Sequence, residues 1–197
     1  MLAFFTQKEL FFWVNEHYAT FLDYIAQPVT DIGDGLFCTI FGIFLLLFVK
    51  VRHGLALLLA CALEGIIIQV LKLYIFIDKP RPWAFYKATE QMHLVKDFIP
   101  YSNNSFPSGH TATAFCMAAI LTLIWPKAKM GWLFLIIALA IAYSRIYLSQ
   151  HYFFDIYVGS IIGVSSAILI YIFIYGSDQN KFKRLHKLDV PLIRLKR

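Results

Sequence analysis

The sequence is short of charge. Asp, Glu, Lys and Arg make up 15% of its 197 residues, against roughly 25% in a soluble domain, while 59% of residues are hydrophobic and 17% aromatic. So sparse a supply of charge leaves much of the surface to be covered by lipid rather than water. The net charge of +6 is spread over short clusters and the tail, not gathered into a patch, which argues against nucleic acid as a partner. Cysteine is also scarce: Cys38, Cys61 and Cys116 lie inside apolar runs. Without ligand spacing they are expected to be small buried side chains, not metal ligands or a disulfide framework. No carboxylate cluster suggests a metal, and no cofactor is expected. The first residues lack a basic segment followed by an apolar core and a small-residue cleavage site, so no removable signal peptide is expected. No internal repeat or low-complexity linker is visible, and residues 1–197 read as one domain.

Long apolar runs are what the sequence has in quantity. Gly35 to Val49, Gly54 to Ile77, Thr111 to Trp125, Met130 to Leu148 and Ile156 to Tyr175 are each apolar over much of a bilayer's thickness, once flanks are included. The expected fold is therefore all-α: an integral membrane bundle of about five transmembrane helices within residues 33–176. In residues 1–27, Phe4, Phe5, Leu10, Phe11, Trp13 and Val14 alternate with Lys8, Glu9, Asn15, Glu16 and His17. That pattern predicts an amphipathic helix lying in the membrane interface; the competing reading is a sixth span.

Lys and Arg favour the cytoplasmic side. Lys50 and Arg52 follow the first run, Lys127 and Lys129 the third, and Lys181, Lys183, Arg184, Lys187, Arg194, Lys196 and Arg197 the fifth. Five spans put all these clusters on one side. Residues 177–197 then form a basic cytoplasmic tail, and segments 79–110 and 149–155 share the outer face of the plasma membrane.

The unusual polar residues gather on that outer side. They are Lys72 with Lys79-Pro80-Arg81-Pro82, then Ser105 to His110, then Ser144-Arg145 followed by His151 and Asp155. Arg and Lys bind phosphate oxygens, Arg in bidentate fashion. A helix starting after Pro107-Ser108 would aim free N–H groups and a positive dipole end at an anion, and Gly109 would allow close backbone approach. His151 and Asp155, four residues apart, share a face at a helix start. The carboxylate would orient the imidazole and leave its other nitrogen free to attack. His110, on a different segment, would protonate the leaving oxygen. Together these describe two-step phosphoryl transfer through a phosphohistidine.

With these residues in view, the sequence resembles the type-2 phosphatidic acid phosphatase superfamily. Pro107-Ser108-Gly109-His110 matches that family's second motif, and Ser144-Arg145, five residues, His151, three residues, Asp155 matches its third. The first motif, Lys, six residues, Arg-Pro, is met only in Arg81-Pro82, because the position seven before Arg81 is Tyr74 and Lys72 lies nine before it. Lys79 is the rival for that role. The resemblance implies that His151 is the nucleophile, Asp155 its partner and His110 the general acid. Lys72, Arg81, Ser108, Gly109 and Arg145 would hold the phosphate without a metal. The implied substrate is a lipid phosphate monoester or the terminal phosphate of a lipid diphosphate, of the undecaprenyl diphosphate, phosphatidylglycerol phosphate, phosphatidic acid or lipid A kind.

Two readings compete. A lipid transporter or flippase would use Glu64 and Lys72 as a polar path, but the other runs are nearly free of polar residues. A vanadate-dependent oxidase would use a similar pocket but needs no membrane. Glu64, near the middle of the second run, is either a functional group or a neutral acid bonded within the bundle. Gly159 and Gly163 have the spacing of a dimer face or of close packing inside one chain. His17, His53, His93 and His186 lack motif context and read as surface residues.

Overall fold

The computed structural model describes residues 4–88, 92–176 and 188–193, and the described chain folds as a bundle of α-helices. Each apolar run is helical. Helix α3 covers Gly35–Phe44 and continues as a π-helical turn, Leu45–Val49. Helix α4 covers Val51–Val70 and also runs into a π turn, Leu71–Ile75. Helices α6 (Gly109–Ile124), α7 (Ala128–Tyr147) and α8 (Phe153–Tyr175) complete the set. A short helix α5, Pro82–Tyr86, lies in the long connection before α6 and starts on the proline that pre-sets helical φ.

By length and composition, Val51–Ile75, Ala128–Tyr147 and Phe153–Tyr175 are each sufficient to cross a membrane. Helix α6 has 16 residues, about 24 Å at 1.5 Å per residue, which is less than the roughly 30 Å of a hydrocarbon core. It is the central element, packed against α4, α7 and α8. Protein encloses much of it, so its length need not match the bilayer.

The N-terminal region departs from expectation. Residues 1–27 do not form one interfacial helix. Helix α1 is Gln7–Glu16 and helix α2 is Thr20–Asp31. A capping box starts α1: the Glu9 N–H donates to Thr6 Oγ1 at 3.2 Å and the Thr6 N–H to Glu9 Oε2 at 2.7 Å. The helix ends where the His17 ring comes within 2.6 Å of the Trp13 carbonyl, taking the acceptor that a continuing helix would use. Helix α2 leads into α3, and together they are apolar and long enough to span, with a bend of 57° between Thr20–Asp31 and Gly35–Val49. The bend sits at Ile32-Gly33-Asp34, where Asp34 caps α3 by accepting from the Leu36 N–H at 2.7 Å.

Small residues let the inner helices touch. A β-carbon at Gly159 would lie 2.5 Å from the Ser108 carbonyl oxygen, and one at Gly163 would meet the Ala112 carbonyl oxygen more closely still. The GxxxG face of α8 is therefore used against α6 within one chain. Cys38 and Cys61 are not merely small buried side chains. Their sulfurs are joined as a disulfide between α3 and α4, with Cα atoms 7.3 Å apart, while Cys116 stays free and buried. Two cysteines on neighbouring helices meet at one level, which their 23-residue separation does not disclose.

Two histidines expected at the surface are engaged. His53 is buried, its Nδ1 2.7 Å from the Tyr175 hydroxyl. His93 ties the connection between α5 and α6 to the N-terminal helices: its backbone exchanges hydrogen bonds with the Asn15 side chain at 2.8 and 3.0 Å, and its Nε2 lies 2.8 Å from Asp23 Oδ1. At the opposite end, the Leu192 and Ile193 N–H groups donate to the Leu46 and Leu47 carbonyls, and the Val51 N–H to the Val190 carbonyl. Residues 188–193 thus lie against the junction of α3 and α4. The basic residues of the tail, and His186, lie outside the described residues.

Candidate active site

The turn after α7 carries His151. Ser149 adopts φ 57°, the left-handed conformation that ends many helices. The Ser149 N–H donates to the Ile146 carbonyl at 2.9 Å and the Gln150 N–H to the Arg145 carbonyl at 3.0 Å. This double closure is a Schellman motif with serine where glycine is usual. The His151 N–H reaches the same Arg145 carbonyl at 3.2 Å, so Arg145, Gln150 and His151 are held in one tight turn.

Helix α8 begins two residues later and supplies Asp155. Its Oδ2 accepts from the Ser105 hydroxyl at 2.5 Å and from the Tyr152 N–H at 3.0 Å. His151 Nδ1 lies 3.4 Å from the same Asp155 oxygen, without an aligned hydrogen bond. On the ring's other side, Nε2 is 3.3 Å from Arg81 Nη1. If the guanidinium donates to Nε2, the ring proton sits on Nδ1, towards Asp155, and the Nε2 lone pair faces the cations.

The cations are themselves fixed. Arg81 Nε donates to the Asn103 carbonyl at 2.8 Å, and its Nη1 to Gln150 Oε1 at 2.7 Å. Arg145 Nη1 donates to Thr30 Oγ1 at 2.8 Å, and its Nη2 lies 3.5 Å from Gln150 Oε1. Gln150, fully buried, therefore accepts from one arginine at close range and faces the other. Thr30, on α2, holds Arg145 from the opposite side. Burial lowers the Arg81 pKa to about 10 despite the nearby Asp155 carboxylate, and the group remains charged at neutral pH. Burial, then the charges of Arg81, Arg145 and Lys72, hold the His151 pKa well below the ordinary imidazole value. His151 is therefore neutral, the form in which an imidazole nitrogen is nucleophilic.

Ser108 caps α6: its Oγ accepts from the Thr111 N–H at 3.4 Å and lies 2.9 Å from the Thr111 hydroxyl. Its own N–H donates to the Asp155 carbonyl at 3.1 Å, which pins the start of α6 to the start of α8. The Gly109 and His110 N–H groups have no hydrogen-bond partner among the described residues, as the free end of a helix requires. His110 Nε2 lies 3.6 Å from Asp34 Oδ2.

Several of the candidate residues border a cavity of about 520 Å³, whereas Asp155, which faces His151, lines the neighbouring one. Lys72, Arg81, Gly109, His110, Arg145 and His151 all line the first. Lys79 does not. It lines the neighbouring cavity, of about 460 Å³, beside Tyr152 and Phe154, and its carbonyl accepts from the Ser105 N–H at 3.0 Å. The π turn at Leu71–Ile75, closed by the Phe76 N–H on the Leu71 carbonyl at 2.7 Å, takes up an additional residue between Lys72 and Arg81. Of the residues singled out from sequence, His151, His110, Asp155, Lys72, Arg81, Gly109 and Arg145 come together. Ser108 is adjacent, but its hydroxyl is committed to the helix cap. Sequence reasoning did not single out Thr30, Asp34 or Gln150. It noted Ser105 in a cluster without giving it a role.

Residues 53–178 match the sequence profile of the PAP2 superfamily. The chain belongs to that superfamily. Its structure is similar to the crystal structure of LpxE from Aquifex aeolicus, with a TM-score of 0.72 and 31% sequence identity, covering 83% of this chain and 93% of that one. The undecaprenyl-diphosphatase BcrC of Bacillus subtilis is 31% identical over 117 residues, 59% of this chain and 54% of its own length. The bacitracin transport permease protein BcrC of Bacillus licheniformis is 39% identical over 69 residues, 35% of this chain and 33% of its own length. The chain thus spans about a third to a half of the length of these two curated relatives.

Proposed function

We propose that this chain is a membrane phosphatase that removes phosphate from a lipid monoester, or the terminal phosphate from a lipid diphosphate, through a phosphohistidine. The observation that carries the reading is the one cavity that Lys72, Arg81, His110, Arg145 and His151 line together. Three cations and two imidazoles around one space suit a phosphoryl group better than any neutral ligand. One of its relatives is an undecaprenyl-diphosphatase, which makes prenyl diphosphates one class to test.

The reaction follows from the arrangement. Arg81, Arg145 and Lys72 take the equatorial phosphate oxygens, and the Gly109 and His110 N–H groups face the same anion from the end of α6. Neutral His151 attacks phosphorus through Nε2. The bond from phosphorus to the leaving oxygen breaks as His110 gives that oxygen a proton. Asp34 Oδ2, 3.6 Å from His110 Nε2, is placed to orient that ring. Asp155 stabilises the positive charge that develops on the His151 ring. In the second step His110 takes a proton from water, the water oxygen bonds to phosphorus, and the nitrogen–phosphorus bond breaks to release inorganic phosphate.

We further propose that the cavity faces outward from the plasma membrane and the C-terminus lies in the cytoplasm; the preference of clusters such as Lys50 with Arg52 and Lys127 with Lys129 for the cytoplasmic side supports this reading. The test is phosphate release by purified protein in detergent, over a panel of prenyl diphosphates, glycerolipid phosphates and acylated sugar phosphates. The reading expects release from at least one lipid and none from His151→Ala. A transport reading, which the permease name of one relative suggests, expects substrate movement across vesicles without phosphate release.

A further inference from the structure

The cavity does not end at the phosphate cations. It continues along α4 to Glu64, Gly65 and Gln69, and it is bounded across the gap by Gly35 and Thr39 of α3. Glu64 on α4 and Lys72 in the π turn that continues it are eight residues apart, about 12 Å along the axis, with Ile68 on the same face between them. The cavity therefore carries a carboxyl group beyond the cluster of cations.

That carboxyl is only partly used by the protein. Glu64 is 3% exposed. One oxygen, Oε1, accepts from the Thr113 hydroxyl at 2.7 Å. Among the described residues no basic side chain lies within ion-pair distance of it. A carboxyl group has acceptor sites for several more donors. The glycines beside it point the same way. A β-carbon at Gly35 or Gly65 would meet nothing within 4 Å, unlike those at Gly159 and Gly163. Helix packing therefore does not require glycine at either position. Their effect is to leave the space between α3 and α4 open.

We propose that Glu64 is a specificity residue, accepting a hydrogen bond from a hydroxyl or amide N–H of the lipid beyond the transferred phosphoryl group. The inference rests on the phosphatase reading and narrows its substrate class. A plain prenyl chain offers no donor at that depth and would leave the carboxyl facing hydrocarbon, which is costly. A lipid phosphate whose phosphate is borne on a hydroxylated or N-acylated unit offers one.

The test measures kcat/KM for Glu64→Leu, Glu64→Gln, Thr113→Val and Gly65→Leu in detergent. Three substrates are compared: an N-acylated sugar lipid phosphate, a prenyl diphosphate and a soluble aryl phosphate that reaches only the phosphate end. Wild type is expected to favour the sugar lipid over the prenyl diphosphate. Glu64→Leu should lower that ratio about tenfold or more, the usual effect of losing a hydrogen bond to an ionisable group. Glu64→Gln, which keeps an acceptor, should lose less. Thr113→Val removes the protein's own bond to Glu64 and should leave the ratio within about twofold. Gly65→Leu fills the open space and should raise KM for both lipids but not for the aryl phosphate. A ratio unmoved by Glu64→Leu, or equal losses on all three substrates in Glu64→Leu and Thr113→Val, would show Glu64 to be structural and overturn the proposal. If Glu64→Leu does not elute as folded protein, Glu64→Gln and Gly65→Leu still decide it. No phosphate release from any substrate by wild type would instead sink the phosphatase reading.

Discussion

The Ser105 hydroxyl donates to Asp155 Oδ2 at 2.5 Å, and this one contact ties the loop before α6 to the first turn of α8. Asp155 sits 3.4 Å from His151, and among the described residues its carboxylate receives one other hydrogen bond, from the Tyr152 N–H. Ser105 therefore fixes the carboxylate that faces His151, the proposed nucleophile. Ser105→Ala is expected to lower kcat about tenfold or more, since a buried hydrogen bond to a charged group is worth about 1.5–3 kcal/mol. KM should change little, because Ser105 does not line the cavity proposed to take the phosphate. Ser105→Thr should restore most of the rate. Equal losses in the two variants would assign Ser105 to packing instead.

The environment of His151 makes a pH prediction. Burial and the cations around the ring lower its pKa in the folded chain, so the folded state resists protonation there. An unfolded chain takes up that proton near pH 6.5. The contribution to stability is therefore complete above the unfolded value and is lost as pH falls below it. For catalysis, the nucleophile stays neutral through pH 6.5, and phosphoenzyme formation should not fall there on its account. Arg81→Gln removes one of the opposing charges and should move the His151 titration upward, towards the ordinary value. An NMR titration of the imidazole reads this directly. A wild-type midpoint near 6.5 would contradict the described burial.

The site was legible in sequence wherever a side chain's type declared its chemistry. His110, His151, Asp155 and the arginines fall in fixed spacings, and the five apolar runs are all helical. Gln150 and Thr30 were not legible. Each is an ordinary polar residue until the backbone brings it against an arginine: Gln150 by the left-handed turn at Ser149, Thr30 by the position of α2. The break between α1 and α2 was hidden because both segments share one amphipathic pattern and the stop at His17 depends on a single side-chain contact. The Cys38–Cys61 pairing depends on the relative height of two helices, which hydropathy does not fix.

Lys72 and Lys79 were rivals for one role, and the geometry separates them. Lys72 lines the cavity with Arg81, Arg145 and His151, the proposed phosphate site, whereas Lys79 lines another. Lys72→Ala should lower kcat/KM about tenfold or more for a lipid phosphate, and Lys79→Ala should stay within about threefold. An inactive Lys79→Ala beside a fully active Lys72→Ala would reverse the assignment.

Orientation is open to a direct measurement. Lys96 is exposed in the connection between α5 and α6, on the side of the cavity. In intact cells, Lys96→Cys should react with a membrane-impermeant thiol reagent, against a background in which Cys116 is buried. Reaction only after lysis would place the cavity on the cytoplasmic side.

The division of labour between the two histidines is the central expectation. If His151 attacks phosphorus, His151→Ala cannot form a phosphoenzyme from any substrate. His110 acts on the leaving oxygen, so the effect of its loss depends on how much protonation that oxygen needs. An aryl oxide leaves readily, and a lipid alkoxide does not. His110→Ala should thus retain far more activity on an aryl phosphate than on a lipid alcohol phosphate, and general acid contributions of about 10²–10⁴-fold make the contrast easy to resolve. His151→Ala should be inactive on both. Acid-quenched wild-type protein, digested and analysed by mass spectrometry, should carry phosphate on residue 151. His110→Ala should still accumulate it from the aryl substrate, more so if water attack also slows, because His110 serves both steps. Phosphate on residue 110, or turnover by His151→Ala, would exchange the two roles or remove the covalent intermediate.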